Sequence, residues 1–214
     1  MNFNARIGFF LLVLASAGCT TVSGLSAPDD YPRLTVDPND SSLMVFVRPN
    51  VNYGQYQKIY VAPVIVQAIG EDSLKNVSDA EAQKIAAYTE KLLKDELGKQ
   101  VQIVDKADEG VLSIHYRIID LEPTSVAQVA MLLPPLSMIN MLSPKGAFVG
   151  SITLSGQIFE GLDPQPSVAF MGVRSRPGID AISAFGRWTA VETVIENSVE
   201  KLAKGLEKER KANL

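Results

Sequence analysis

The sequence is poor in the side chains from which most enzyme centres and metal sites are built. It holds one cysteine, one histidine and one tryptophan in 214 residues. A single cysteine excludes an intramolecular disulfide and a cysteine-rich zinc site. A single histidine excludes the paired-histidine metalloprotease helix, and neither a phosphate-cradling glycine loop nor a nucleophile elbow is present. Positive charge is also scarce: 20 basic against 24 acidic residues leave a formal charge of −4. A nucleic-acid binder normally carries a basic stripe, so that class is not expected. At 46% hydrophobic and 21% charged the composition is that of a folded domain, which excludes wholesale disorder and a collagen-like chain.

What is present begins with an address. Residues 1–19 read MNFNARIGFFLLVLASAGC: a short polar start with Arg6, an apolar run over Ile7–Leu14, then small residues before Cys19. This is the pattern of a secretory signal peptide, too short to span a bilayer as a helix. The only cysteine stands where a bacterial lipoprotein carries its acylated residue. Ser16-Ala17-Gly18-Cys19 resembles a lipobox, with Ser16 where an aliphatic residue is usual. Ala15-Ser16-Ala17 also satisfies ordinary signal cleavage, which would release a chain beginning at Gly18 and leave Cys19 an exposed thiol prone to oxidation. Lipidation at Cys19 is the expected outcome, and its acyl chains would make the attachment effectively permanent. Thr20 follows, and the absence of Asp there resembles lipoproteins sorted to the outer membrane. Removing residues 1–18 takes away Arg6 and no acid, so the mature chain carries 19 basic and 24 acidic residues, a net of −5.

Three stretches follow: a signal at 1–18, a tether at 19–42 and one α+β domain at 43–214. Sixteen of the twenty-three residues Thr20–Ser42 are Ser, Thr, Gly, Pro, Asp or Asn, a composition suited to a linker. Leu25, Tyr31 and Leu34 are apolar exceptions that could dock part of the tether on the domain. Leu43–Val47 reads as a short strand. Lys58–Gln67 is apolar on both faces and reads as a covered strand, with Pro63 forcing a bulge or an edge. Ser78 and Glu81 form a capping box, and Ile85, Tyr88, Leu92 and Leu93 mark one helix face ahead of Gly98, which is expected as a left-handed stop. Glu90 and Lys94 are spaced to pair along that helix.

Strands are expected at Val101–Asp105, Val111–Leu121, Ala147–Phe159 and Val168–Arg176, the last two as a hairpin. In Val111–Leu121, Leu112, Ile114, Tyr116 and Ile118 alternate with Ser113, His115 and Arg117. Arg187–Arg210 carries a helical stripe of Trp188, Val191, Val194, Ile195, Val199, Leu202 and Leu206. The order implies a mixed or mostly antiparallel sheet with two amphipathic helices on one face.

One segment stands apart. Pro123–Pro144 contains no charge, and twelve of the seventeen residues Val126–Leu142 are apolar. Pro134 and Pro135 break the run into pieces of seven or eight residues, so a membrane-spanning helix is not expected. Burial in the core is the plainer reading. An exposed lipid or envelope-protein patch built from Met131, Leu132, Leu133, Leu136, Met138, Ile139 and Met141 is the functional one. An amphipathic stretch lying in the membrane is the third.

Catalytic candidates are thin. His115 is the one conventional base, and no nucleophile is placed beside it by sequence. Asp120 and Glu122 at a strand end read as solvated acids before a turn. Arg174, Arg176 and Arg187 would form an anion site only if the fold brought them together. No metal and no cofactor is expected.

Several ordered pieces resemble a bacterial lipoprotein family known as domain of unknown function 3313. They are Ser23–Leu25, Asp30–Leu34 (DYPRL), Val47–Asn50 (VRPN), Tyr56–Val64 (YQKIYVAPV), Ile119–Thr124 (IDLEPT), Gly150–Leu162 and Phe185-Gly186-Arg187-Trp188. The resemblance implies an envelope lipoprotein at the outer membrane, facing the periplasm, and it brings no activity or catalytic residue. The element order is also similar to small α+β modules of curli-secretion and transport-auxiliary lipoproteins, an analogy of fold alone. The expected function is a non-enzymatic binding or assembly module. A subunit of an envelope transport or secretion complex is the alternative, and a periplasmic hydrolase a more distant one.

Overall fold

The computed structural model describes residues 26–69, 73–124, 148–177 and 186–212. Eight strands and two helices make up the described architecture. The strands are β1 (Thr35–Asp37), β2 (Asp40–Val47), β3 (Lys58–Val61), β4 (Ile65–Val66), β5 (Gln102–Val104), β6 (Val111–Glu122), β7 (Phe148–Glu160) and β8 (Val168–Pro177). The helices are α1 (Asp79–Leu97) and α2 (Thr189–Ala212). One mixed sheet runs in the order β1-β2-β8-β7-β6-β3-β5, with β4 also paired to β6. The pairs from β1 through β6 are antiparallel, while β3 lies parallel to both β5 and β6. The fold is therefore α+β with a mostly antiparallel sheet, as the element order implied.

Both helices lie against the same face of the sheet. Ile85, Leu93 and Leu97 of α1 and Val191, Ile195, Val199 and Leu206 of α2 share one core with Ile59, Ile114, Ile118, Ile152 and Ile158 of the strands. The capping box forms as expected, with Ser78 Oγ accepting from the Glu81 amide and the Glu81 carboxylate accepting from the Ser78 amide. Glu81 also accepts from Arg187 Nε at 2.7 Å and from Trp188 Nε1 at 3.2 Å. One carboxylate thus ties the start of α1 to the start of α2. The Ser78 bonds, followed by Arg187, hold its pKa at about 2. Glu90 and Lys94 pair at 2.6 Å.

Three expectations need correcting. Gly98 ends α1 with right-handed torsions, φ −63° and ψ −14°, so it is not a left-handed stop. It is required by close approach, since a Cβ there would stand 2.8 Å from the Lys94 carbonyl oxygen. The single strand expected over Lys58–Gln67 is two strands, β3 and β4, separated at Pro63. Pro63 has no amide to donate, the Val64 amide turns to the Glu90 carboxylate, and pairing with β6 resumes at Ile65 opposite Arg117 with its register moved by one residue. The final helix starts at Thr189 rather than Arg187.

The tether boundary also moves. Residues 35–42, assigned by composition to a linker, supply β1 and the first residues of β2. Polar residues suffice there because β1 is a short edge strand whose stability comes from its pairing with β2. Upstream, Asp30 and Arg117 form a bidentate ion pair, and the Arg117 guanidinium stacks over the Tyr31 ring at 5.3 Å. Gln157 Nε2 donates to the Asp30 carbonyl at 3.2 Å. These contacts strap residues 30–31 across the sheet face opposite the helices. That face is not solvated despite its polar alternation: Ser113, Thr153, Ser155 and Gln157 are all buried.

Among the described residues, no helix is long and apolar enough to cross a membrane.

Two outcomes test this packing. Ile195→Ala, at a fully buried position, lowers the unfolding free energy by about 2–5 kcal/mol. Urea titration reads this as a lower midpoint at unchanged slope, and a negligible shift would mean that α2 is not docked. Arg117→Ala removes the ion pair to Asp30 and the contact with the Tyr31 ring and exposes residues 26–34 to limited proteolysis while β6 and β7 stay protected; unchanged cleavage would contradict the strap.

Candidate functional site

Seven strands in series are wider than the two described helices, and apolar side chains of β2 and β8 stay open beside α2. On the helix-facing side of β2 and β8 stand Leu43, Val45 and Val47, cross-paired with Gly172, Phe170 and Val168. This alternation follows from the strand period of two, which sends every second residue of each strand toward the helices. Phe170 meets the Tyr116 ring edge-on at 5.3 Å and forms the inner wall. The opposite wall is the flank of α2 that carries Ser198, Lys201, Leu202 and Gly205, an i, i+3, i+4, i+7 stripe next to the core stripe. The result is an open apolar groove with a cavity of about 90 Å³.

Glycines keep it open. Gly205 lies inside α2, where glycine costs about 1 kcal/mol relative to alanine, and a Cβ added there would meet nothing within 4 Å. Gly156 lies beneath Phe170, whose ring would stand 2.6 Å from a Cβ at that position, so glycine alone lets the ring settle on the sheet.

One end of the groove is charged. Arg174 pairs with Asp40 at 3.1 Å and donates to the Ser42 hydroxyl and carbonyl, with its side chain 17% exposed. Burial lowers its pKa, and Asp40 and then Tyr116 and Asp37 oppose that shift. Lys201 stands at the same end, half-buried; desolvation and then Arg174 lower its pKa, with Asp40 acting in the opposite direction.

The residues singled out by sequence fall elsewhere. Cys19 and the apolar set Met131, Leu132, Leu133, Leu136, Met138, Ile139 and Met141 lie outside the described residues. His115 is half-buried on the sheet face away from the helices, edge-on to Phe159 at 5.0 Å and to Tyr60 at 6.4 Å. Desolvation lowers its pKa, and Arg117 adds to the shift, so it is neutral at pH 7. Asp120 does structural work at a bulge in β6, accepting from the amides of Leu74 and Leu121 at 2.9 Å each. Glu122 accepts from Ser151 Oγ. Arg174 and Arg187 do not converge: the first is held by Asp40 and Ser42, the second by Glu81 and the Asn76 carbonyl. Among the described residues, no group of three His, Cys, Asp or Glu is placed to hold a metal.

A family described as "Protein of unknown function (DUF3313)" matches residues 23–202. The chain belongs to that family. None of the curated proteins matches the sequence. Solved structures are similar only at a distance. A PelC dodecamer from Paraburkholderia phytofirmans is 7% identical with a TM-score of 0.39, over 74% of this chain and 96% of that one. A Xanthomonas campestris protein of family DUF330 is 12% identical with a TM-score of 0.39, over 76% and 88%. A DUF4136 family protein from Bacteroides thetaiotaomicron is 11% identical with a TM-score of 0.36, over 79% and 98%. These likenesses carry nothing about what this DUF3313 chain does.

Sequence reasoning missed the groove. Two signals for it were present: the alternation Leu43, Val45, Val47, and an isolated glycine at 205 within a strongly amphipathic helix. Their meeting across α2 depends on strand order, since β2 pairs with β8 across more than a hundred residues.

The burial of His115 has a pH consequence. Its folded pKa lies below the unfolded value of about 6.5, so the unfolded chain binds the extra proton first. Stability is complete above about pH 6.5 and falls as pH drops from there toward the folded pKa. His115→Phe, which retains ring packing against Phe159 and Tyr60, flattens that part of the stability–pH curve; an unchanged slope between pH 7 and 5.5 would contradict the assignment.

Proposed function

We propose that this DUF3313 protein is a lipid-anchored cell-envelope protein that acts as a non-enzymatic binding module through the groove beside α2. It is held at the outer membrane, facing the periplasm, by acyl chains on Cys19. The observation that carries the binding role is the groove itself: a concave apolar surface left open between a helix and two strands. Ligand sites are usually concave and apolar with a few placed polar groups, and this lining has that composition. Its polar members are Ser198, Lys201, Arg174 and the Tyr116 hydroxyl, which suit orientation of a ligand better than bond cleavage. Arg174 is committed to Asp40 and Ser42, so it serves as fixed charge rather than as a proton donor.

The strap at Asp30 and Tyr31 supports the anchored reading. With those residues fixed on the sheet, ten residues lie between Cys19 and Asp30, making eleven Cα-to-Cα steps. Fully extended they reach at most about 40 Å. A domain held that close to the bilayer works at the membrane surface rather than far into the periplasm.

Membrane fractionation of the full chain and Cys19→Ala tests the anchor. The unsubstituted protein sediments with membranes and is released by detergent but not by high salt, whereas Cys19→Ala moves to the unsedimented fraction. Retention of Cys19→Ala in the membrane would overturn the lipid anchor.

A further inference from the structure

We draw no further inference here: the strongest candidate, the open apolar groove between α2 and strands β2 and β8, belongs to the site already described, and with Arg174 at its charged end engaged by Asp40 and Ser42, nothing in the structure shows what covers it.

Discussion

The structure depends on a mismatch of widths. Seven strands in series span six inter-strand spacings, about 29 Å. The two described helices, each about 10 Å across, cover about 20 Å of that. The chain places α1 over the parallel end, against β3 and β4, and α2 over β7 and β8. Coverage therefore runs out at β8 and β2, where apolar side chains continue beyond the helix. A longer side chain at position 205 would have closed part of this gap, and the sequence places glycine there. The groove, its charged end and the function assigned to it all follow from that shortfall.

The opposite face solves the same burial problem by other means. With no helix among the described residues on that side, the sheet is backed in part by the segment around Asp30 and Tyr31, fixed by an ion pair, a cation–π contact and a side-chain amide. Arg117 stabilises Asp30 as the carboxylate, holding its pKa below the ordinary value. The two faces thus differ: one is backed in part by the segment around Asp30 and Tyr31, the other stays open beside α2.

Much of this fold was legible as sequence because its long elements obey strict periods. The capping box at Ser78 and Glu81, the alternation through Val111–Leu121 and the stripe from Val191 to Leu206 each identify their element. Errors arose where a residue's neighbours are distant in the chain. Gly98 looks like a left-handed stop until the Lys94 carbonyl is seen beside it. Residues 35–42 look like linker because an edge strand draws its order from a partner rather than from its own side chains. His115, Arg174 and Arg187 proved to be packing and ion-pair residues, since their partners Phe159, Asp40 and Glu81 come from other elements. The groove was the least legible feature of all: Val45 and Gly205 are 160 positions apart, and no local pattern joins them.

The central claim is that the surface between α2 and β8 is a ligand groove rather than a fault in packing. Hydrogen–deuterium exchange of the full chain, with and without the apolar dye 8-anilinonaphthalene-1-sulfonate at saturation, tests it most directly. The account predicts slower exchange confined to residues 198–206 of α2 and to β2 and β8, with α1 and β3 unchanged. Exchange that is identical in the two samples, or slowed uniformly across the sheet, would contradict it.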